Sequence, residues 1–171
     1  ITKYLYTALL ALLFLIPAKG WGQGTLMITR SSFPSGNNYT TSSWSATAST
    51  GEVINGKSRL YLNTNTHIQI GGTEIPHPYN DISLPGAITK IEITMHTSGS
   101  LRTWTPRVST STAVTDITGG TALESKTFSA VNTTLTWDLS TSDNYRYFYL
   151  QSGGNTNISQ IKITYQTTPT C

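Results

Sequence analysis

The sequence predicts an all-β chain, folded as an antiparallel two-sheet β-sandwich of the jelly-roll kind, with an Ig-like sandwich as the alternative. Three observations predict it. No segment of residues 23–171 holds apolar side chains at helical spacing, whereas alternation of period two recurs. The alternating runs are short and separated by Gly, Pro, Asn and Ser, which turn a chain. Nine or ten such runs at close spacing suit two packed sheets. The paired cysteines of an Ig domain are missing, because Cys171 is the one cysteine.

Taken in order, residues 1–22 read as a secretory leader. Lys3 precedes an apolar run from Leu5 to Ile16, with Pro17 and small residues after it. That run falls short of the roughly 20 apolar residues a membrane span needs. A retained anchor is the alternative, and cleavage is expected after Gly22, with Gly20 as the other candidate. Without Lys3 and Lys19 the chain keeps 9 basic against 8 acidic side chains, a net charge of +1. It has no basic stripe, which speaks against nucleic acid as a partner. Only 11% of residues are charged; Ser, Thr, Asn and Gly supply the polarity, as in secreted β-rich proteins.

The expected β-sandwich module covers 23–166. Thr25 to Arg30 is a first strand and Phe33 to Gly36 a turn. Tyr39 to Ala48 is a Ser/Thr-rich strand carrying Trp44, and Gly51 to Gly56 reads as the next turn. Arg59 to Leu62 and His67 to Ile70 pair around Asn63-Thr64-Asn65, and Gly71 to Asn80 is a loop broken by Pro76 and Pro78. In ITKIEITM, residues 88–95, Ile91, Ile93 and Met95 share a face opposite Lys90, Glu92 and Thr94. In ISQIKITY, residues 158–165, Ile161, Ile163 and Tyr165 do the same. Two half-buried strands of one antiparallel sheet are spelled this way. Between them lie Arg102 to Ser109, Lys126 to Ser129, Thr133 to Leu139 and Arg146 to Gln151, with Trp104 and Trp137 expected in the core. Residues 167–171, TTPTC with its preceding context, read as the start of a linker to a further domain.

The stretch NYRYFYLQ, residues 144–151, is the densest in aromatics. Period two puts Phe148 and Leu150 on the core face and Tyr145, Tyr147 and Tyr149 on the other. An outward row of tyrosines suits a glycan, since sugar C–H faces stack on rings and phenol oxygens meet hydroxyls. Tyr147 and Tyr149, then Tyr145 and Asn144, are the candidate ligand-binding residues. Cross-strand packing alone would also favour Tyr there.

No reaction is written in the residues. His67, His77 and His96 are scattered, and His77, between prolines, is expected to be exposed. No zinc, nucleotide or nucleophile-elbow motif occurs, and Asp81, Glu92 and Asp138 form no recognisable acid–base pair. Neither a catalytic residue nor a metal ligand is assigned and no cofactor is expected, although Asp and backbone carbonyls of such a fold are compatible with structural calcium.

GAITKIEITM followed by YRYFYLQSGGNTNISQIKITY resembles β-sandwich modules near the N-termini of secreted and surface proteins of Bacteroidota. Phe148, Leu150, Ile158, Ile161, Ile163 and Tyr165 carry the likeness. It implies an extracellular, non-catalytic module beside other domains of the same chain, but transfers no functional residue. The function expected is a glycan-binding accessory domain, secreted or at the cell surface, whose partners are a polysaccharide or glycoconjugate and neighbouring domains. A structural, adhesin-like spacer without a small ligand is the alternative.

Overall fold

A computed structural model of the chain describes residues 22–34, 39–61, 66–71 and 76–167. The leader before Gly22, the Asn63-Thr64-Asn65 turn and the segment after Thr167 lie outside the described residues. Twelve strands are described: β1 Gln23–Thr29, β2 Tyr39–Thr47, β3 Val53–Tyr61, β4 Ile68–Ile70, β5 Tyr79–Asn80, β6 Gly86–Met95, β7 Thr103–Ser109, β8 Thr121–Ala122, β9 Lys126–Thr127, β10 Thr134–Asp138, β11 Tyr147–Ser152 and β12 Thr156–Thr167. The count exceeds the expected nine or ten because two-residue strands such as β5 and β8 have no readable alternation.

The strands form a β-sandwich of two antiparallel sheets, of five and seven strands. The first runs β10-β6-β12, with β1 and β4 sharing the far edge of β12. The second runs β2-β3-β5-β11-β7, with β8 and β9 on the far edge of β7. The chain changes sheet at most of its connections, the winding expected of a jelly roll. Among the described residues no helix is long and apolar enough to cross a membrane.

The two echoing segments are direct neighbours. Ile161 faces Ile93, Ile163 faces Ile91, and Lys162 faces Glu92, so each strand's alternation reinforces the other's. Ile91, Ile93, Met95, Ile161, Ile163 and Tyr165 are all fully buried. The register slips between Thr164 and Tyr165, leaving Thr89 as the extra residue. That bulge returns Ile88 to the core, three positions from Ile91.

Phe148 and Leu150 meet them from the second sheet, with Trp44, Trp104 and Trp137 also buried. Trp44 stacks on Phe148 with ring centroids 6.3 Å apart. Gly56 proves to be strand, not turn. It faces Trp44 across β2 and β3, and a Cβ there would collide with the indole and with the Tyr79 carbonyl oxygen. The turn is confined to residues 48–52, where Ala48 N donates to Glu52 O at 2.8 Å.

Candidate functional site

The aromatic strand β11 is held by a buried amide. Asn80 accepts from Phe148 N at 2.8 Å through Oδ1 and donates from Nδ2 to Ile82 O at 2.8 Å and Arg146 O at 3.0 Å. All its polar capacity but one lone pair is used, which makes burial of the amide tolerable. Its bonds fix Phe148 on the core face, as the alternation predicts.

The opposite face departs from expectation. Tyr149 does not point into solvent; it is fully buried, in a second small core with Tyr79 and Val114. Its hydroxyl accepts from His77 N at 3.2 Å and lies 3.4 Å from His77 Nδ1. Burial raises the Tyr149 pKa, partly offset by the His77 amide. A ring with no exposed surface cannot stack on a sugar, so Tyr149 is corrected from contact residue to core residue.

The cause is the loop 110–120, which folds back over the sheet. Arg107, opposite Tyr149 in β7, donates to the carbonyl oxygens of Thr118, Gly119 and Gly120. Asp116 closes the turn beside it, accepting from Thr118 N and Oγ1, both at 2.7 Å, and from Gly119 N at 3.0 Å. Those bonds, the hydroxyl's first, hold the Asp116 carboxyl below its ordinary value. Where an Asp and three carbonyls gather, the cation is the Arg107 guanidinium.

The other expected contact residues part company. Tyr145 is half-buried and leans on the main core. Asn144 is exposed in the left-handed conformation (φ 51°), and its Oδ1 accepts from Arg146 Nε at 3.3 Å. Tyr147, half-buried opposite Ser109, alone keeps part of its side chain on the outer face of β11.

The histidines also differ from expectation. His77 is buried, only 2% exposed, with Nε2 3.1 Å from Gly71 O. His67 and His96, 29 positions apart in sequence, bring their rings to 4.5 Å. Burial, then His96, lowers the His67 pKa. His96 Nδ1 accepts from Ser98 N at 3.2 Å, which leaves the neutral ring's proton on Nε2. Among the described residues no three His, Cys, Asp or Glu side chains gather as a metal site.

Each weighed carboxylate has its own lysine: Glu92 with Lys162 at 3.1 Å, Asp138 with Lys90 and Asp81 with Lys57, both at 3.6 Å. Asp81 also raises the Tyr79 pKa, after burial. These are ion pairs on sheet faces, and no two of the three acids share a site.

An open groove of about 610 Å³ lies beside Asp81. Ser31, Ser32, Ser43, Ser45, Asn55 and Asp81 supply its polar lining, over Phe33, Pro34 and Trp44. Register explains the gathering. Ser45 faces Asn55, and Asp81 N donates to Asn55 O at 3.0 Å. Tyr149 faces Tyr79, and beyond that pair the Asn80 side chain takes the place of the ladder between β5 and β11, so Tyr147 does not line the groove. Sequence reading missed the groove because isolated serines and one asparagine carry no signal until register aligns them.

No protein-family model matches the chain, and no curated protein matches it in sequence. The class defined by the structure is therefore that of the β-sandwich itself.

Proposed function

We propose that this is a non-catalytic, extracellular β-sandwich module that binds a glycan in the groove beside Asp81. The observation that carries the reading is the polar row Ser45, Asn55 and Asp81 in an open cleft. Hydroxyl, amide and carboxylate groups offer the donors and acceptors that sugar hydroxyls need, and Tyr147, half-exposed on the same sheet, offers a ring face outside the groove. The groove takes over the role that the sequence suggested for a three-tyrosine platform. Tyr147 stays a contact residue in this reading.

The test is affinity electrophoresis of residues 23–167 against a panel of polysaccharides. Asn55→Ala/Asp81→Ala is expected to fold normally and lose retention on whichever polysaccharide retards the parent. Tyr147→Ala should weaken retention by roughly tenfold, as loss of one partly exposed stacking ring would. Retention unchanged in both variants removes the groove from consideration.

A further inference from the structure

We propose that β2 is a strand-addition edge and that its occupant is β2 of a second copy of this chain. The inference does not depend on glycan binding, although Ser43 and Ser45 also line the groove, so the two occupants would compete there.

A two-sheet sandwich has four edges, and unpaired edges invite other strands. Three are blocked here. On β10, Lys126 Nζ donates to Thr136 O at 2.7 Å, from the side away from β6. On β1, Ser49 N donates to Thr25 O and Ser49 Oγ accepts from Thr25 N, both at 2.9 Å, while Ser32 Oγ accepts from Thr29 N at 3.1 Å. The edge of β7 is covered by β8 and β9, which have two residues each and are too short to template another strand.

Among the described residues the nine-residue β2 pairs with β3 alone. Ala48 N donates to Glu52 O in the β3 direction. In an antiparallel ladder the direction alternates. Ala46, Trp44, Ser42 and Thr40 therefore also bond towards β3, and Thr47, Ser45, Ser43 and Thr41 aim N–H and C=O outward. Among the described residues none of these four outward pairs has a hydrogen-bond partner. The strand carries no charge and no proline, the usual means of blunting an edge.

The same features choose the partner. Antiparallel pairing about a two-fold axis uses one surface twice, and the outward donors of one β2 meet the outward acceptors of the other. Nothing on β2 repels its copy. The nearest cation in register, Lys57 opposite Ser43, sits one strand further in. It would stand about 14 Å from its symmetry mate across three strand spacings, beyond the screening length of about 8 Å at physiological salt. The contact is small, so pairing is expected to be weak and to depend on concentration.

The experiment is amide hydrogen exchange by NMR with parallel sedimentation, on residues 23–167, from micromolar to about 1 mM, the concentration that a weak association requires. Protection of Thr41, Ser43, Ser45 and Thr47 should rise with concentration as dimer appears, while Thr40, Ser42, Trp44 and Ala46 stay protected throughout. Ser43→Pro removes an outward N–H without touching the β3 ladder, and should abolish both the dimer and the rise. If that variant does not fold, Thr41→Lys/Ser45→Lys decides by the same criteria, since like charges would then face each other. A monomer at every concentration overturns the proposal. So does a dimer in which the four outward amides stay unprotected, or one that survives the edge variant.

Discussion

On the five-stranded sheet outward side chains of β6, β10 and β12 form ion pairs, Lys162 with Glu92 and Lys90 with Asp138. On the seven-stranded sheet Tyr79 and Tyr149, outward on β5 and β11, lie under a loop and are 6% and 0% exposed. Both faces alternate with period two. They differ in what crosses them. The loop 110–120, pinned by Arg107, adds a third layer to one face only. Strand alternation says which residues share a face, and a distant segment decides whether that face meets water.

The largest test of this contrast is Tyr149→Ala. It is expected to cost about 3 kcal/mol, in the range of a buried aromatic, as Phe148→Ala should on the opposite face. Tyr147→Ala, two residues away on the same face, should cost under about 1 kcal/mol. Urea unfolding of the three variants measures all of this; equal small losses for both tyrosines would return Tyr149 to the surface.

Arg107→Ala should cost about 2 kcal/mol through its charge-assisted bonds to three carbonyls. Its sharper effect is local. Once the loop is released, Tyr149 should become open to nitration while the β6–β12 ladder keeps its exchange protection. Loss of protection in both sheets together would mean that the loop is part of the main core.

The smallest expected effect is a pH dependence. The Asp116 carboxyl is held below its ordinary value of 3.8. A carboxyl with a depressed folded pKa adds stability that is present above 3.8 and lost as pH falls through the lower folded value. The gap between the parent and Asp116→Asn should therefore persist at neutral pH and close in acid. Thermal melts across that range report it, and a gap independent of pH would show that the carboxylate charge does not hold the turn.

Much of the fold was legible because its signal is local. Ile91, Ile93, Met95, Ile161 and Ile163 announce one buried face each, and the similarity of the two strands foretold a shared sheet. Phe148 and Leu150 were assigned to the core correctly because neither has a polar group to satisfy. Gly56 was misread because a glycine signals a turn as readily as a close approach, and only Trp44 packed against it tells the two apart. His77 was misread for a related reason: flanking prolines mark a loop, but not whether Tyr149 and Gly71 close around it. The groove was invisible because its members come from four separate segments.

The sequence by itself determined the all-β class, the strands with clean alternation and the residues that fill the main core. Backbone sterics and apolar burial act over a few neighbouring positions, so they can be read there. Only the tertiary structure decided that Tyr149 is buried, that Arg107 occupies a nest of carbonyls, that Asp81 borders a groove and that β2, among the described strands, pairs on one side. Each depends on segments tens of residues apart meeting across a sheet, and the free energy of such a meeting belongs to both partners and is written in neither alone.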